Sequence, residues 1–487
     1  MPTIGSSSLN ESLGRFSDIL TPDERQEIQG LQDRPLPIGI RINPLKSAPQ
    51  DAIEVLAGRY GWQIEPLPYC QNGWLIRNFE VSPSMTIEHR MGQYYLQDPA
   101  SMVPVSLFDI DHSHPLILDM AASPGGKTTH LIDRTLDQGF ILGNDSSQGR
   151  ISALRAVLSN WGGINQAILN FPGENFGNWY PETFDLVLLD APCSMENLRP
   201  TPDQPMRQTT MDERLRLQER QINLLCSGFQ ALKTGGQLVY ATCSLAPEED
   251  EAVINAAINR FPGAIKVEKV RDRVEFDTKG LTSFQGTSFH PSLSRSLRLW
   301  PHLTGFSGFF CSLMTKTQSI STIYKAPPKR DFSRTNLVQL KTDQRKLLGQ
   351  QMLDQFGLDL ELIYDRIDVI PYQRFEQYFL IPKKYLQYFP TLPFEYIGMP
   401  LGAWHDDVFE PSHTFISRFG GHFNQGTITL QNGAIQQWIA GRDIRYPNTH
   451  LSPQGQYLLV KDESGRNLGL GKLLPKRLRN LLPRHLI

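Results

Sequence analysis

The chain has 487 residues, 40% of them hydrophobic and 20% charged, with a formal net charge of −2; that length suits about three domains, each able to bury a core, and the balanced charge gives no global field pointing to nucleic acid. The five cysteines, Cys70, Cys193, Cys226, Cys243 and Cys311, lack CxxC or Cys/His spacing, which argues against a structural zinc site, any other metal centre or a disulfide framework. Neither a basic segment followed by an apolar core nor a run of about 18 apolar residues occurs, so no signal peptide, no membrane span and a reducing, cytoplasmic setting are expected.

In chain order, a helix is predicted near Leu13 to Leu31, with Thr21-Pro22-Asp23-Glu24 reading as a helix start. Ile38–Ile42 alternates like a strand, Asp51–Tyr60 has helical spacing, and apolar pieces follow near Trp62 and from Trp74 to Ile76. Residues 1–100 thus read as a small α/β unit, and YYLQDPASM (94–102) leads out of it. From 101 to 316 strands and helices alternate. Strands are predicted at Leu116–Asp119, Phe140–Asp145, Gln166–Asn170, Phe184–Asp190 and Gln237–Thr242, with helices at Lys127–Leu136, Ser147–Trp161 and Met211–Leu232. The last carries Leu215, Ile222, Cys226, Phe229 and Leu232 on one face and is expected to end at Gly235-Gly236. Trp300–Met314 suits closing strands. This alternation predicts an α/β fold with a doubly wound, mainly parallel sheet. Residues 317–395 read as a basic linker and a mixed helical segment. Residues 396–487 read as short strands between glycines, ending in a tail with Arg466, Lys472, Lys476, Arg477, Arg479 and Arg484.

The chemistry gathers at strand ends. Asp119, Asp145, Asn170 and Asp190 close four successive strands, and in an open parallel sheet such ends line one crevice. A carboxylate after the second strand suits a ribose diol, because it accepts two hydroxyl hydrogen bonds. The loop Ala121-Ala122-Ser123-Pro124-Gly125-Gly126-Lys127 has Ala121 where a phosphate loop needs glycine, and no GxGxxG is present. An adenosyl cofactor without a large polyphosphate fits better than a nucleoside triphosphate or a dinucleotide. Cys193, in DAPCS, and Cys243, in ATCS, both fall at strand-end turns beside that crevice. A lone cysteine is more often a small buried hydrophobe; two at such turns suggest nucleophiles, with Lys127 as a cation that favours the thiolate. Beside a methyl donor, a thiolate serves pyrimidine C5 methylation: its addition at C6 makes C5 nucleophilic, and a second thiol assists release.

DMAASPGGKT, FDLVLLDAPCS, YATCSLAPEEDEAV and LRLWPHLTGFSGFF, with YYLQDPASM upstream, occur in order over about residues 30–316. On these motifs the chain resembles the Sun-type RNA cytosine-5 methyltransferases, most of all the bacterial branch that methylates 16S rRNA. The pairing of DAPCS with TCS is specific, since related DNA enzymes use the proline-cysteine of the earlier motif as nucleophile. The resemblance implies a Rossmann-like class I methyltransferase sheet and S-adenosyl-L-methionine as cofactor. It implies that Cys243 attacks C6, Cys193 aids release and Asp190 holds the base. It also implies that Ala121, Ala122, Ser123, Pro124, Gly125, Gly126, Lys127, Asp145, Asn170 and Asp190 line the cofactor site. GMPLGAWHDDVFEPSH and LGLGKLLPKRLRNLLP resemble the ends of a PUA-type RNA-binding domain, whose basic residues would contact phosphate.

Three departures stand out. Ser194-Met195-Glu196-Asn197 replaces the usual SGEG, Asn170 stands where aspartate is usual, and Ala121 replaces a frequent cysteine. Met tolerates positive φ poorly, so the loop after Cys193 is expected to stiffen. The expectation is an active monomeric enzyme on small-subunit rRNA. The alternatives are a tRNA substrate, or an RNA-binding ribosome-assembly factor on a degenerate methyltransferase fold.

Overall fold

The computed structural model describes residues 4–486, apart from 33, 111–113, 201–205, 207, 277, 406–407 and 446–455; of 4–7, 333 and 485 only the backbone is described. The N-terminal stretch holds two helices, Ile4–Arg15 and Pro22–Gly30, in place of the single helix expected over Leu13–Leu31. The break has a local cause. Thr21 is extended, its side chain accepts from the Glu24 N–H, and Glu24 accepts in return from the Thr21 N–H at 2.8 Å, so a second helix starts there. A four-stranded antiparallel sheet follows, in the order Gln63–Pro66, Gly73–Asn78, Ile38–Ile42, Tyr94–Leu96. The helix Pro49–Tyr60 packs Ile53 and Leu56 against Ile40, Ile42, Trp62 and Trp74.

The main sheet has nine strands. They are β1 (Leu116–Asp119), β2 (Phe140–Asn144), β3 (Gln166–Leu169), β4 (Phe184–Asp190), β5 (Leu232–Thr242), β6 (Ile265–Val267), β7 (Leu297–Leu299), β8 (Phe309–Lys316) and β9 (Tyr396–Ile397). The order is β6-β8-β5-β4-β1-β2-β3-β9, with β7 also on β8. The run from β5 to β3 is parallel, while β8 pairs antiparallel with β5 and β9 antiparallel with β3. Helices α1 (Gly126–Arg134), α2 (Gln148–Trp161), α3 (Met211–Ala231) and α4 (Glu251–Arg260) belong to this unit. β4 is buried on both faces. Phe184, Val187 and Leu189 enter one core and Leu186 and Leu188 the other, which is why its sequence is almost continuously apolar. The mainly parallel, doubly wound sheet matches the sequence reading.

Two details of α3 differ from that reading. It ends at Ala231 and passes directly into β5, so Gly235 and Gly236 lie within the strand. Leu215, expected on the buried face, is half exposed, whereas Arg214 and Gln221 are buried. The buried face turns polar where the helix passes the cysteine loops.

The stretch 317–395 is not a plain linker and helical segment. It holds helices Thr342–Phe356, Leu360–Ile367 and Lys383–Tyr388 among strands Val338–Gln339, Val369–Arg374 and Gln377–Pro382. These strands continue into Met399–His405 and Val408–Pro411 as one five-stranded antiparallel sheet that crosses the 395/396 boundary. A second five-stranded sheet, Thr427–Leu430, Tyr457–Asp462, Asn467–Leu474, Arg477–Asn480 and Ile444–Arg445, makes the C-terminal part β-rich. Asp406 and Asp407, within GMPLGAWHDDVFEPSH, fall outside the described residues. No helix among the described residues is long and apolar enough to cross a membrane.

Candidate active site

The strand order reverses between β1 and β4, and ligands of open α/β sheets bind outside the strand C-termini at such a point. The loop after β1 and the loop after β4 meet there. A cavity of about 400 Å³ is lined by Ala121, Ser123, Asp145, Asp190, Cys193 and Cys243, among others, within the size range of ligand pockets.

The loop after β1 is shaped for close approach. The Ser123–Pro124 peptide is cis, and Gly125 has φ 116. A Cβ on Gly125 would lie 2.9 Å from Val157, and one on Gly126 would lie 3.0 Å from the Tyr95 ring. Gly126 opens α1. Arg41, wholly buried in the N-terminal sheet, donates to the Gly126 carbonyl at 3.0 Å and to the Thr129 hydroxyl at 2.6 Å, and it pairs with Asp133. The N-terminal unit therefore holds the first turn of α1 in place, a contact invisible in sequence spacing.

The strand-end groups divide. Asp145 lines the cavity and accepts from the Ser147 N–H at 2.8 Å and the Ser123 N–H at 3.3 Å, with Arg150 at 3.5 Å. Asn170 does not line the cavity; its amide nitrogen donates to the Asp145 carbonyl at 2.7 Å. Asp119 lies beneath the loop. Its Oδ2 accepts from the Thr128 hydroxyl at 2.7 Å, and the Ala121 backbone N–H also favours the carboxylate. Burial is the main reason its carboxyl is pushed up to about 7, with Asp190 adding to the rise. Ala122, Pro124 and Gly125 form the turn, and Lys127 reaches the cavity through Asp190, donating to Oδ2 at 2.8 Å. Burial opposes the Lys127 charge, but the Asp190 carboxylate, by charge and hydrogen bond, outweighs it and holds the ammonium above its ordinary pKa.

The two cysteines come together. Asp190 is opposite Ala241 in the β4–β5 register, so Cys193 and Cys243 leave neighbouring strand ends. Their Sγ atoms are 3.1 Å apart, and both are free thiols. The hydrogen bond with Cys243 comes first among the causes that raise Cys193 well above the ordinary thiol range, followed by burial and the charges of Cys243 and Glu249. In the loop after Cys193, Met195 has φ 63, so methionine occupies the left-handed backbone that glycine favours, while Asn197 is not at positive φ.

Sequence reasoning missed the polar frame around this pair. Glu196 is buried between Arg214, at 2.7 Å, and Arg15 of the first helix, at 2.9 Å. Arg15 also bonds Glu248, at 2.8 Å, in the loop after Cys243. Arg150 and Arg220 stand at the cavity as exposed cations. Buried acids in the PEEDE run were the only available signal. Among the described residues no group of three or more His, Cys, Asp or Glu is placed to hold a metal ion.

Comparison with known proteins agrees with this architecture. Residues 108–315 match the family model for 16S rRNA methyltransferase RsmB/F, and residues 12–99 match that for the N-terminal domain of 16S rRNA methyltransferase RsmF. Ribosomal RNA small subunit methyltransferase F of Vibrio parahaemolyticus is 31% identical over 461 residues, covering 93% of this chain and 92% of that protein. The Klebsiella pneumoniae protein of the same name is 31% identical over 458 residues, covering 93% and 91%. A methyltransferase homologue from Pyrococcus horikoshii superposes with a TM-score of 0.55 at 31% identity, over 64% of this chain and 99% of that one. NSun6 from Pyrococcus horikoshii, solved with SFG, superposes with a TM-score of 0.53 at 18% identity, over 64% and 98%, and supports the fold alone. The chain belongs to the RsmF family of 16S rRNA methyltransferases.

Proposed function

We propose that this protein methylates C5 of a cytosine in RNA, with 16S rRNA as the substrate, through a transient covalent bond between Cys243 and C6. The observation that carries the reading is the pair of thiols 3.1 Å apart on the wall of a cavity at the sheet's reversal point. S-adenosyl-L-methionine fits the residues present. Asp145 suits a ribose diol, and it shares the cavity wall with Ala121, Ser123 and Asp190 at the strand ends where an adenosyl group would lie. When bound, that cofactor supplies the electrophilic methyl group.

The protein's own groups do the rest. The target base leaves its stack to enter the cavity. The Cys243 thiolate adds to C6 and raises electron density at C5. Asp190, held by Lys127, stabilises the adduct at N3 or the exocyclic amine. After methylation the C5–H bond breaks, its electrons restore the C5=C6 bond, and the sulfur–C6 electrons return to Cys243. Cys193 hands its proton to the departing sulfur and takes up the proton that leaves C5. The N-terminal unit and the basic, PUA-like C-terminal part hold the RNA, in the cytoplasm.

Bisulfite sequencing of total RNA from cells with and without the gene tests the substrate. One 16S cytosine losing protection in the deletion strain is the expected outcome. Loss in a tRNA would move the substrate, and no change in either would favour an RNA-binding assembly factor. Cys243→Ala is expected to abolish methyl transfer.

A further inference from the structure

The cysteine loops share one buried acid that this reaction leaves unused. Glu249 is fully buried, six residues after Cys243. Its Oε2 accepts from the Ser194 backbone N–H at 2.8 Å and from the Gln221 amide at 3.1 Å. Its Oε1 accepts from the Ser194 hydroxyl, and from the Ser244 hydroxyl at 3.2 Å. Ser194 follows Cys193, and Ser244 follows Cys243. A single carboxylate therefore joins the residues next to both thiols.

Donors converge on both oxygens, which calls for a carboxylate: a neutral amide accepts only at its oxygen and would turn a donor toward the other pair. Among the described residues the cation paired with Glu249, Arg214, is 3.8 Å away and spends its shorter contact, 2.7 Å, on Glu196. Asp250, next in the chain, is also acidic and also buried. Tyr240 packs on the same side and donates its hydroxyl to the Glu249 carbonyl oxygen at 2.5 Å. Around the thiols, Cys193 faces Cys243, Glu249 and the Met195 backbone, whereas Lys127 and Asp190 face the cavity near Cys243. Beside Cys243 the Asp190 charge is thus balanced by Lys127 at 2.8 Å, whereas beside Cys193 the buried Glu249 has its ion-pair partner, Arg214, only at 3.8 Å. A thiol beside a buried anion keeps its proton.

We propose that Glu249 is the positioning residue of the two-thiol step: it holds both cysteine loops as one unit and keeps Cys193 protonated as the proton donor, leaving Cys243 as the nucleophile. The inference rests on the reading of Cys243 as nucleophile, but its labelling test needs no RNA. Full-length protein is alkylated with iodoacetamide across a pH series, and labelling of each cysteine is followed by mass spectrometry. In the unaltered protein Cys243 is expected to label at least about 10-fold faster than Cys193, and in Glu249→Gln the gap is expected to shrink to about threefold or less, with the Cys193 midpoint moving to lower pH. Ser194→Ala, which keeps the charge and the backbone bond, is expected to narrow the gap less, and it carries the test if the Gln variant fails to fold. A Cys193 labelling rate and midpoint unchanged in the folded variants would overturn the proposal. Cys193→Ala separates the two ideas. A covalent RNA adduct at Cys243 in that variant, together with a labelling ratio unchanged in Glu249→Gln, sinks the role of Glu249 alone, whereas an adduct absent from Cys243 sinks the two-thiol reading itself.

Discussion

Met195 shows how a departure visible in sequence becomes a physical quantity. Of the two glycines that the SGEG pattern would place here, only the first is needed for backbone reasons, because Met195 sits at φ 63 and Asn197 does not. A left-handed non-glycine residue costs on the order of 1 kcal/mol. Met195→Gly is expected to raise the unfolding free energy by about that amount, less the added freedom of the unfolded chain; a lower denaturant midpoint would show that the methionine side chain itself holds the loop. Asp119 makes a prediction of the opposite kind. Its folded-state pKa is raised to about 7 from 3.8, so the protonated form fits the fold better. Stability from this group is full below about pH 4 and is lost as pH rises through 7, on the order of 4 kcal/mol at most. Asp119→Asn should flatten that slope, measured as denaturant midpoints at pH 5 and pH 8. An unchanged slope would place the pH dependence elsewhere.

Elements that carry a long apolar signal were legible, and those that serve polar contacts were not. β1 and β4 emerged with their observed bounds because a strand buried on both faces has no polar positions to confuse the pattern. α3 was found as an element but assigned the wrong face at its start, since Arg214 and Gln221 are buried for the sake of Glu196, Glu249 and the Pro192 carbonyl, which no periodicity encodes. The strand-end cysteines and Asp190 were readable from motif position. Arg15 was not, because its role arises from a helix folding across the molecule. It grips Glu196 with one nitrogen and Glu248 with the other, spanning the loops after both cysteines. Arg15→Ala is expected to lower turnover by about 10- to 100-fold through misplacement of the thiols. Single-turnover kinetics would check this, with cofactor affinity by calorimetry expected to stay within about twofold, since Arg15 does not line the cavity.

At the scale of the whole molecule, the C-terminal sheets are tied to the catalytic unit by charge as well as by packing. Arg418 of the helix His413–Phe419 pairs with Asp137 in a buried site and donates to the Gly162 carbonyl at 2.7 Å. Lys46 of the N-terminal unit donates to the Asn160 carbonyl at 2.7 Å and to the Ser417 hydroxyl at 2.8 Å. Removing one partner of a buried pair costs about 3–5 kcal/mol. Arg418→Ala is therefore expected to split thermal unfolding into two calorimetric steps, and a single transition at the original temperature would deny the coupling. The C-terminal region was least legible because its strands are short and half-exposed, so neither period is sustained.

The two-residue strand β9 has a practical consequence. Tyr396 and Ile397 pair with Ile168 and Ala167, and the Glu395 and Gly398 N–H groups bond the Ile168 and Gln166 carbonyls at 2.8 and 3.0 Å. A fragment stopped at 316 would strip this cover from β3 and present bare, apolar strand edges to its neighbours in solution, which is a template for self-association. Such a truncated fragment should precipitate or form soluble aggregates on a sizing column, where the intact chain keeps that edge closed with its own distant segment.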